Sequence, residues 1–186
     1  MCQIIVCYDE KPSEAEIAYW AGINPHGIGI MWADGERVHY RKGLDVSGAL
    51  RWLERASLPC VIHFRLASVG AADDPLLTHP FLVRPDDGPD PLQYHGPRAA
   101  LVHNGHCPHL LRRLPAHYQL LRRSDSWALA RLWALGERVL PEGSNVVVLH
   151  PHGDIQLLGN FTYHHGRAYS SWWARRRKYE AVSHGE

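Results

Sequence analysis

Met1-Cys2-Gln3-Ile4-Ile5-Val6-Cys7-Tyr8 opens the chain, and these residues govern how the remainder is read. Ile4 to Tyr8 is a short apolar run rich in β-branched residues, the pattern of a strand covered on both faces. Cys2 stands directly behind the initiator methionine, so trimming of Met1 places a thiol and a free α-amine on one residue. An α-amine has an unperturbed pKa of about 7.7–8.0, close enough to neutrality to relay a proton between a thiol and a leaving group. A nucleophile and its base then need no histidine partner. Taken alone, Met1-Cys2 reads equally well as a small residue opening a strand. The rest of the chain decides between the two.

Strand-like and helix-like segments alternate without a linker. Ser13 before Glu14, Ile17, Ala18 and Ala21 marks a capped helix closing at Gly22. Gly27 to Ala33 and Glu36 to Tyr40 read as strands joined at Asp34-Gly35, a hairpin signal. Asp45 to Ala56 reads as a helix and Pro59 to Leu66 as a buried strand. Ala71 to Pro97, crowded with Pro, Gly and Asp, reads as one long loop of the kind that carries function. Ala99 to His103 resumes a strand and runs into Asn104-Gly105. Ser124 caps a helix whose apolar stripe is Ala128, Leu129, Leu132, Trp133 and Leu135. Asn145 to His150 and Asp154 to Leu158 form a second hairpin around His152-Gly153. Antiparallel hairpins interleaved with helices, with several strands apolar on both faces, predict an α+β fold of two stacked sheets with helices outside.

Composition narrows the class. With 186 residues, 45% hydrophobic and 21% charged, the chain fits one globular domain with a sizeable core. A formal charge of +1 gives no reason to expect nucleic acid, and Arg175-Arg176-Arg177-Lys178 reads as a solvated, basic tail. Cysteines at 2, 7, 60 and 107 form no CxxC pair or disulfide ladder, which points to a reducing, cytoplasmic setting. No apolar stretch is long enough for a membrane span and no charged-then-apolar leader is read, so Cys2 is expected to be exposed by methionine removal alone.

Six strings, taken in order, change the weight of Cys2: Met1-Cys2; Asn24-Pro25-His26-Gly27-Ile28-Gly29-Ile30; His63-Phe64-Arg65-Leu66-Ala67-Ser68-Val69-Gly70; Thr78-His79-Pro80-Phe81; Val102-His103-Asn104-Gly105; and Ser124-Asp125-Ser126. Their order and spacing resemble the glutaminase domain of class II glutamine amidotransferases, the N-terminal-nucleophile family, and in particular its small stand-alone members. The resemblance runs from Met1 to about Leu135. It implies a four-layer αββα sandwich, a single amidotransferase domain over 1–186 with a basic, aromatic tail from about 167, and no cofactor.

Each string has a chemical task. Glutamine presents an α-carboxylate, an α-ammonium and a side-chain amide, so a selective site needs a cation, an anion and a nucleophile. Arg65 suits the carboxylate, because a guanidinium offers two parallel donors. Asp125 suits the ammonium, although an Asp in a first helical turn is also favoured by the macrodipole. The resemblance implies these same roles, with Trp127 standing where the family often has glutamate. Asn104 and Gly105 are the expected oxyanion hole, through a side-chain and a backbone N–H. Ser68 is expected to touch the substrate carboxylate or its own backbone. Gly27 and Gly29 are expected to permit close packing around Cys2, with His26 and Ile28 replacing a frequent Asp and Trp. His63 and His79 are expected to make supporting hydrogen bonds, and His103 to support Asn104.

Fourteen histidines invite a metal reading, chiefly His103, His106, Cys107 and His109, but no doublets reproduce zinc spacing and no metal site is expected. The expected activity is hydrolysis of L-glutamine through a Cys2 thioester. The chain ends about fifty residues beyond Leu135, which leaves no synthase domain and implies a separate ammonia acceptor, docked by the Ala71–Pro97 stretch or by the tail around Trp172 and Trp173. Two alternatives stay open at this point: an N-terminal-nucleophile hydrolase for a γ-glutamyl or isopeptide bond, and a non-catalytic binding module of the same fold.

Overall fold

The computed structural model describes residues 1–67, 72–119 and 124–171. Among them β1 (Gln3–Cys7) lies inside an antiparallel sheet, between β4 (Cys60–Phe64) and β11 (Arg167–Tyr169). Beyond β4 come β2 (Ile28–Ala33), β3 (Val38–Leu44) and β6 (Gln93–Gly96), and beyond β11 comes β10 (Thr162–His164), making seven strands. A second antiparallel sheet has four: β5 (Phe81–Leu82), β7 (Ala100–Asn104), β8 (Asn145–Leu149) and β9 (Ile155–Leu158).

The opening run behaves as its composition predicts. Side chains alternate across a strand: Ile5 and Cys7 pack with Trp20 of α1 (Glu14–Ile23) and Leu53 of α2 (Val46–Arg55), whereas Ile4 and Val6 pack with Val102 and Val147 of the facing sheet. The outer face of the four-stranded sheet, Leu101, Val146 and Val148, packs with Trp127, Leu129 and Leu132 of α4 (Asp125–Ala134) and with Tyr118 of the short α3 (Ala116–Gln119). Every residue of β1 is buried, and full burial of each Ile or Val stabilises by about 1.5–3 kcal/mol. The molecule is therefore a mixed α and β protein with two antiparallel sheets.

Local signals set the helix starts. The Ser13 hydroxyl accepts from Glu16 N at 3.2 Å, Asp45 Oδ1 from Gly48 N at 2.7 Å, and Ser124 Oγ from Trp127 N at 3.1 Å.

Four features depart from the sequence reading. The second strand of the Asp34-Gly35 hairpin begins two residues later than expected, at Val38 opposite Ala33, because Asp34 Oδ1 accepts both Glu36 N and Arg37 N and so organises a wider loop. The stretch read as one loop to Pro97 contains a 3₁₀ turn at Pro75–Leu77 and the strands β5 and β6. Its order comes from buried Asp90, whose Oδ1 meets Arg84 Nε at 3.0 Å and Arg131 Nη2 at 3.1 Å. Leu135, expected in the apolar stripe of α4, is the C-cap and 46% exposed. Finally, the expected tail does not begin at 167: Arg167 to Tyr169 pair with β1, and Glu16 holds both Arg167 and the Tyr169 hydroxyl. Trp172, Trp173 and Arg175 to Lys178 lie outside the described residues. No helix among the described residues is long and apolar enough to cross a membrane.

Candidate active site

Antiparallel pairing of β1 with β4 ends at Gln3 opposite Phe64, so the next residue on each strand, Cys2 and Arg65, leaves the sheet together. The Cys2 sulfur rests on the adjoining peptide: Leu66 N donates to it at 3.3 Å, and Leu66 O lies 3.6 Å away. The string around Gly27 runs alongside. Arg65 N donates to Gly27 O at 3.0 Å, His26 N donates to Arg65 O at 3.1 Å, and Ala67 N donates to His26 Nδ1 at 2.8 Å. His26 thus anchors by its ring the backbone just beyond Cys2's partner. The Arg65 guanidinium, in a residue only 5% exposed, is oriented by donation from Nη1 to Ala72 O at 3.0 Å and Asp74 O at 3.4 Å.

Cys2, Arg65, Gly105 and Asp125 all line one cavity of about 230 Å³, together with His79 and His103. Asp125 is the first residue of α4, where a carboxylate is favoured by the helix dipole. Its Oδ2 accepts Cys107 N at 2.7 Å and its Oδ1 accepts Ser126 N at 2.8 Å, so the side chain is fixed to the loop that follows Gly105. A cavity with a guanidinium, a carboxylate and a thiol on its walls has the three groups that a free amino acid with a side-chain amide requires.

Burial pushes the Cys2 thiol above its ordinary value, and the Leu66 N–H, the N-terminal charge and Arg65 pull it back in part, while Asp125 raises it. A thiol so placed needs a base to become a nucleophile. Met1 is 69% exposed and contributes to the cavity wall; while it is attached, the nitrogen of Cys2 is an amide without a basic lone pair.

Other expected residues take different places. Asn104 is 2% exposed and is not on the cavity wall. Its Nδ2 donates to Ser170 Oγ at 2.9 Å, and the same hydroxyl accepts Ile4 N at 2.9 Å, so Asn104 is linked to β1 from behind Gly105. Gly105 itself is required by packing: a Cβ there would fall inside the Ser144 hydroxyl and 2.5 Å from His103 Nε2. Gly27 and Gly29 permit close approach as expected, but of Thr78 and of the His79 carbonyl rather than of Cys2. Ser68 lies outside the described residues. His103 Nδ1 lies 2.9 Å from Ser126 Oγ and its Nε2 3.0 Å from Ser144 Oγ.

His79 does not make the side-chain hydrogen bond expected of it, and His63 meets only the backbone of His103. Their rings lie 3.9 Å apart between centroids at a tilt of 41°, both residues are buried, and neither nitrogen of His79 has a hydrogen-bond partner in the protein. Burial pushes His63 down to about 3, with the His103 backbone offsetting part of the shift, and also lowers His79 and His103. The unfolded chain therefore binds protons near pH 6.5 that the folded chain refuses. Stability should be undiminished above about pH 6.5 and fall as pH drops below it, by up to about 1.4 kcal/mol per pH unit for each such imidazole, the His63 contribution extending toward about pH 3. Urea unfolding at several pH values should show a shallower acid decline in His79→Gln than in the unsubstituted protein; parallel declines would contradict this assignment.

Ser126, Ser144 and Ser170 escaped the sequence reading, since nothing local distinguishes a serine that bonds a residue dozens of positions away. Among the described residues no group of three or more His, Cys, Asp or Glu side chains is arranged to hold a metal ion. No protein-family model matches the chain, and no curated protein matches it in sequence.

Proposed function

We propose that this protein is a class II glutamine amidotransferase that hydrolyses the side-chain amide of L-glutamine at Cys2 and supplies ammonia to a separate acceptor enzyme. The observation that carries the reading is the meeting of the Cys2 sulfur, the Arg65 guanidinium, the Asp125 carboxylate and Gly105 on one cavity. The stacking of α1 and α2 outside the seven-stranded sheet and α4 outside the four-stranded one supports the four-layer αββα sandwich of N-terminal-nucleophile hydrolases. Four free thiols fit a reducing, cytoplasmic setting.

In this reading Met1 is removed and the new α-amine takes the Cys2 proton. Arg65 receives the α-carboxylate and Asp125 the α-ammonium, which sets the amide carbon against the sulfur. Attack forms the C–S bond and moves an electron pair onto the former carbonyl oxygen. The Gly105 N–H meets that charge, and Asn104, bonded to Ser170 behind it, holds the strand end from which that N–H projects. The ammonium at the N-terminus returns its proton to the departing nitrogen as ammonia leaves. Water then attacks the thioester, yielding glutamate and the free thiol.

The processed protein is expected to release ammonia and glutamate in equal amounts from L-glutamine, and to turn over γ-glutamyl peptides more slowly. Arg65→Ala should lower kcat/KM for glutamine by about 10- to 100-fold, the scale of one charged hydrogen-bond pairing. Faster cleavage of γ-glutamyl peptides than of glutamine would replace the substrate in this proposal, and absence of both activities would remove the enzymatic reading.

A further inference from the structure

The side chains behind Gly105 form a directed chain. Asp125 Oδ1 lies 3.4 Å from Ser126 Oγ, Ser126 Oγ lies 2.9 Å from His103 Nδ1, His103 Nε2 lies 3.0 Å from Ser144 Oγ, and Ser144 Oγ lies 3.6 Å from Cys107 Sγ. His103 is 1% exposed, Cys107 3%, and both serines 4%, so the chain is largely buried and meets the cavity at Asp125, Ser126 and His103. Its direction follows from its end. A carboxylate only accepts, so with Ser126 donating to Asp125 its oxygen accepts from His103, which places the proton of a neutral imidazole on Nδ1 and leaves Nε2 as an acceptor. Ser144 then donates to Nε2 and accepts from the Cys107 thiol. In this sense each hydroxyl donates once and accepts once, although at the far end either Ser144 or Cys107 can be the donor.

The two ends of the chain reach two different parts of the cavity. One end is the Asp125 carboxylate, which also accepts Cys107 N at 2.7 Å. The other is the Ser144–His103 hydrogen bond, against which the Cα of Gly105 is packed so closely that no Cβ fits. Ser144 directly precedes β8, whose Asn145 pairs with Asn104, so sheet pairing brings Ser144 beside Gly105.

Building on the glutaminase reading above, we propose that His103 is a positioning residue which, through Ser126 on one side and Ser144 on the other, couples the carboxylate that receives the substrate ammonium to the glycine N–H that receives the oxyanion. Occupation of Asp125 holds Ser126 in its donating rotamer, Ser126 holds the His103 tautomer, and His103 holds Ser144 against Gly105. A substrate lacking the α-ammonium thereby loses alignment at its amide as well as affinity.

The near-isosteric variants Ser126→Ala and Ser144→Ala test this. Ser144→Ala is expected to lower kcat about tenfold with KM within twofold, because only the shelf under Gly105 is lost. Ser126→Ala is expected to raise KM severalfold and also to lower kcat, and the double variant should lose less than the product of the two single effects. His103→Gln, which offers one amide donor and one carbonyl acceptor, should retain most of the activity that His103→Leu loses. Unchanged kcat in Ser144→Ala, or fully multiplicative effects, would overturn the coupling. A readout independent of turnover separates this from failure of the glutaminase reading: imidazole ¹⁵N spectra of the unsubstituted protein should show His103 protonated at Nδ1. Protonation at Nε2 overturns the relay, whereas protonation at Nδ1 in a protein that releases no ammonia from glutamine upholds the hydrogen-bond chain and rejects the activity it was argued to serve.

Discussion

Substitution of Cys2 by alanine is expected to reduce ammonia release from glutamine by on the order of 10⁴-fold or more, the scale on which removal of an enzyme's nucleophile acts, while leaving the fold intact. In the proposed reaction the sulfur is the attacking atom, and no other thiol can replace it, because Cys7, Cys60 and Cys107 are buried in the packed interior. The fold should survive because β1 begins at Gln3 and the Cys2 side chain touches only the Leu66 peptide in the hydrogen bonds it makes. Protein that keeps Met1 should show a deficit of similar size for a different reason: its thiol is present, but raised by burial and without an amine to take the proton. Intact-mass measurement beside a coupled glutamate assay separates the two defects, since activity should scale with the fraction of chains that begin at Cys2.

Gly105→Ala is expected to be the second most damaging change. A methyl group at this position collides with the Ser144 hydroxyl and stands 2.5 Å from His103 Nε2. Ser144, His103 or the backbone must shift to relieve the overlap, and in the proposed mechanism that disturbs the N–H assigned to the oxyanion. Loss of one such donor costs about 10²- to 10³-fold in kcat, and overpacking a buried site costs typically about 1–3 kcal/mol of stability. Gly22→Ala is the natural control, because a Cβ there meets nothing within 4 Å and the residue lies within α1. That variant should be fully active and no less stable, since alanine is the better helix former. Equal activity of Gly105→Ala and Gly22→Ala, measured as kcat with thermal unfolding alongside, would contradict the oxyanion assignment.

Much of the fold is legible in the chain because its determinants are local. Ile4 to Cys7 is apolar at every position, and only a strand sandwiched between two covered faces buries all of them. The caps Ser13, Asp45 and Ser124 each bond a backbone N–H two or three residues inside the helix they start, so a short window suffices to find them. The same holds for the placing of Arg65 and Asp125, which follow from a strand end and a helix start. The missing pieces are those fixed by distant partners. Arg167 to Tyr169 is too short to read as a strand, and it is one because β1 and Glu16 lie beside it. β5 and β6 are hidden in a proline- and aspartate-rich stretch that Arg131 organises from α4 through Asp90. Asn104 was readable as a motif residue, yet its link to Ser170, 66 positions away, is set by the packing of the sheets, and that link turns its amide away from the cavity wall.

The central claim is covalent: glutamine acylates the sulfur of the trimmed N-terminus. Mixing processed protein with excess L-glutamine, quenching in acid within the first turnovers and mapping the peptides by mass spectrometry tests it most directly. One glutamyl group should be found on the peptide that begins at Cys2, removable by neutral hydroxylamine as a thioester is, and absent from Asp125→Ala protein at the same glutamine concentration. Glutamate accumulating with no adduct at Cys2, or an adduct on any other residue, would contradict the account.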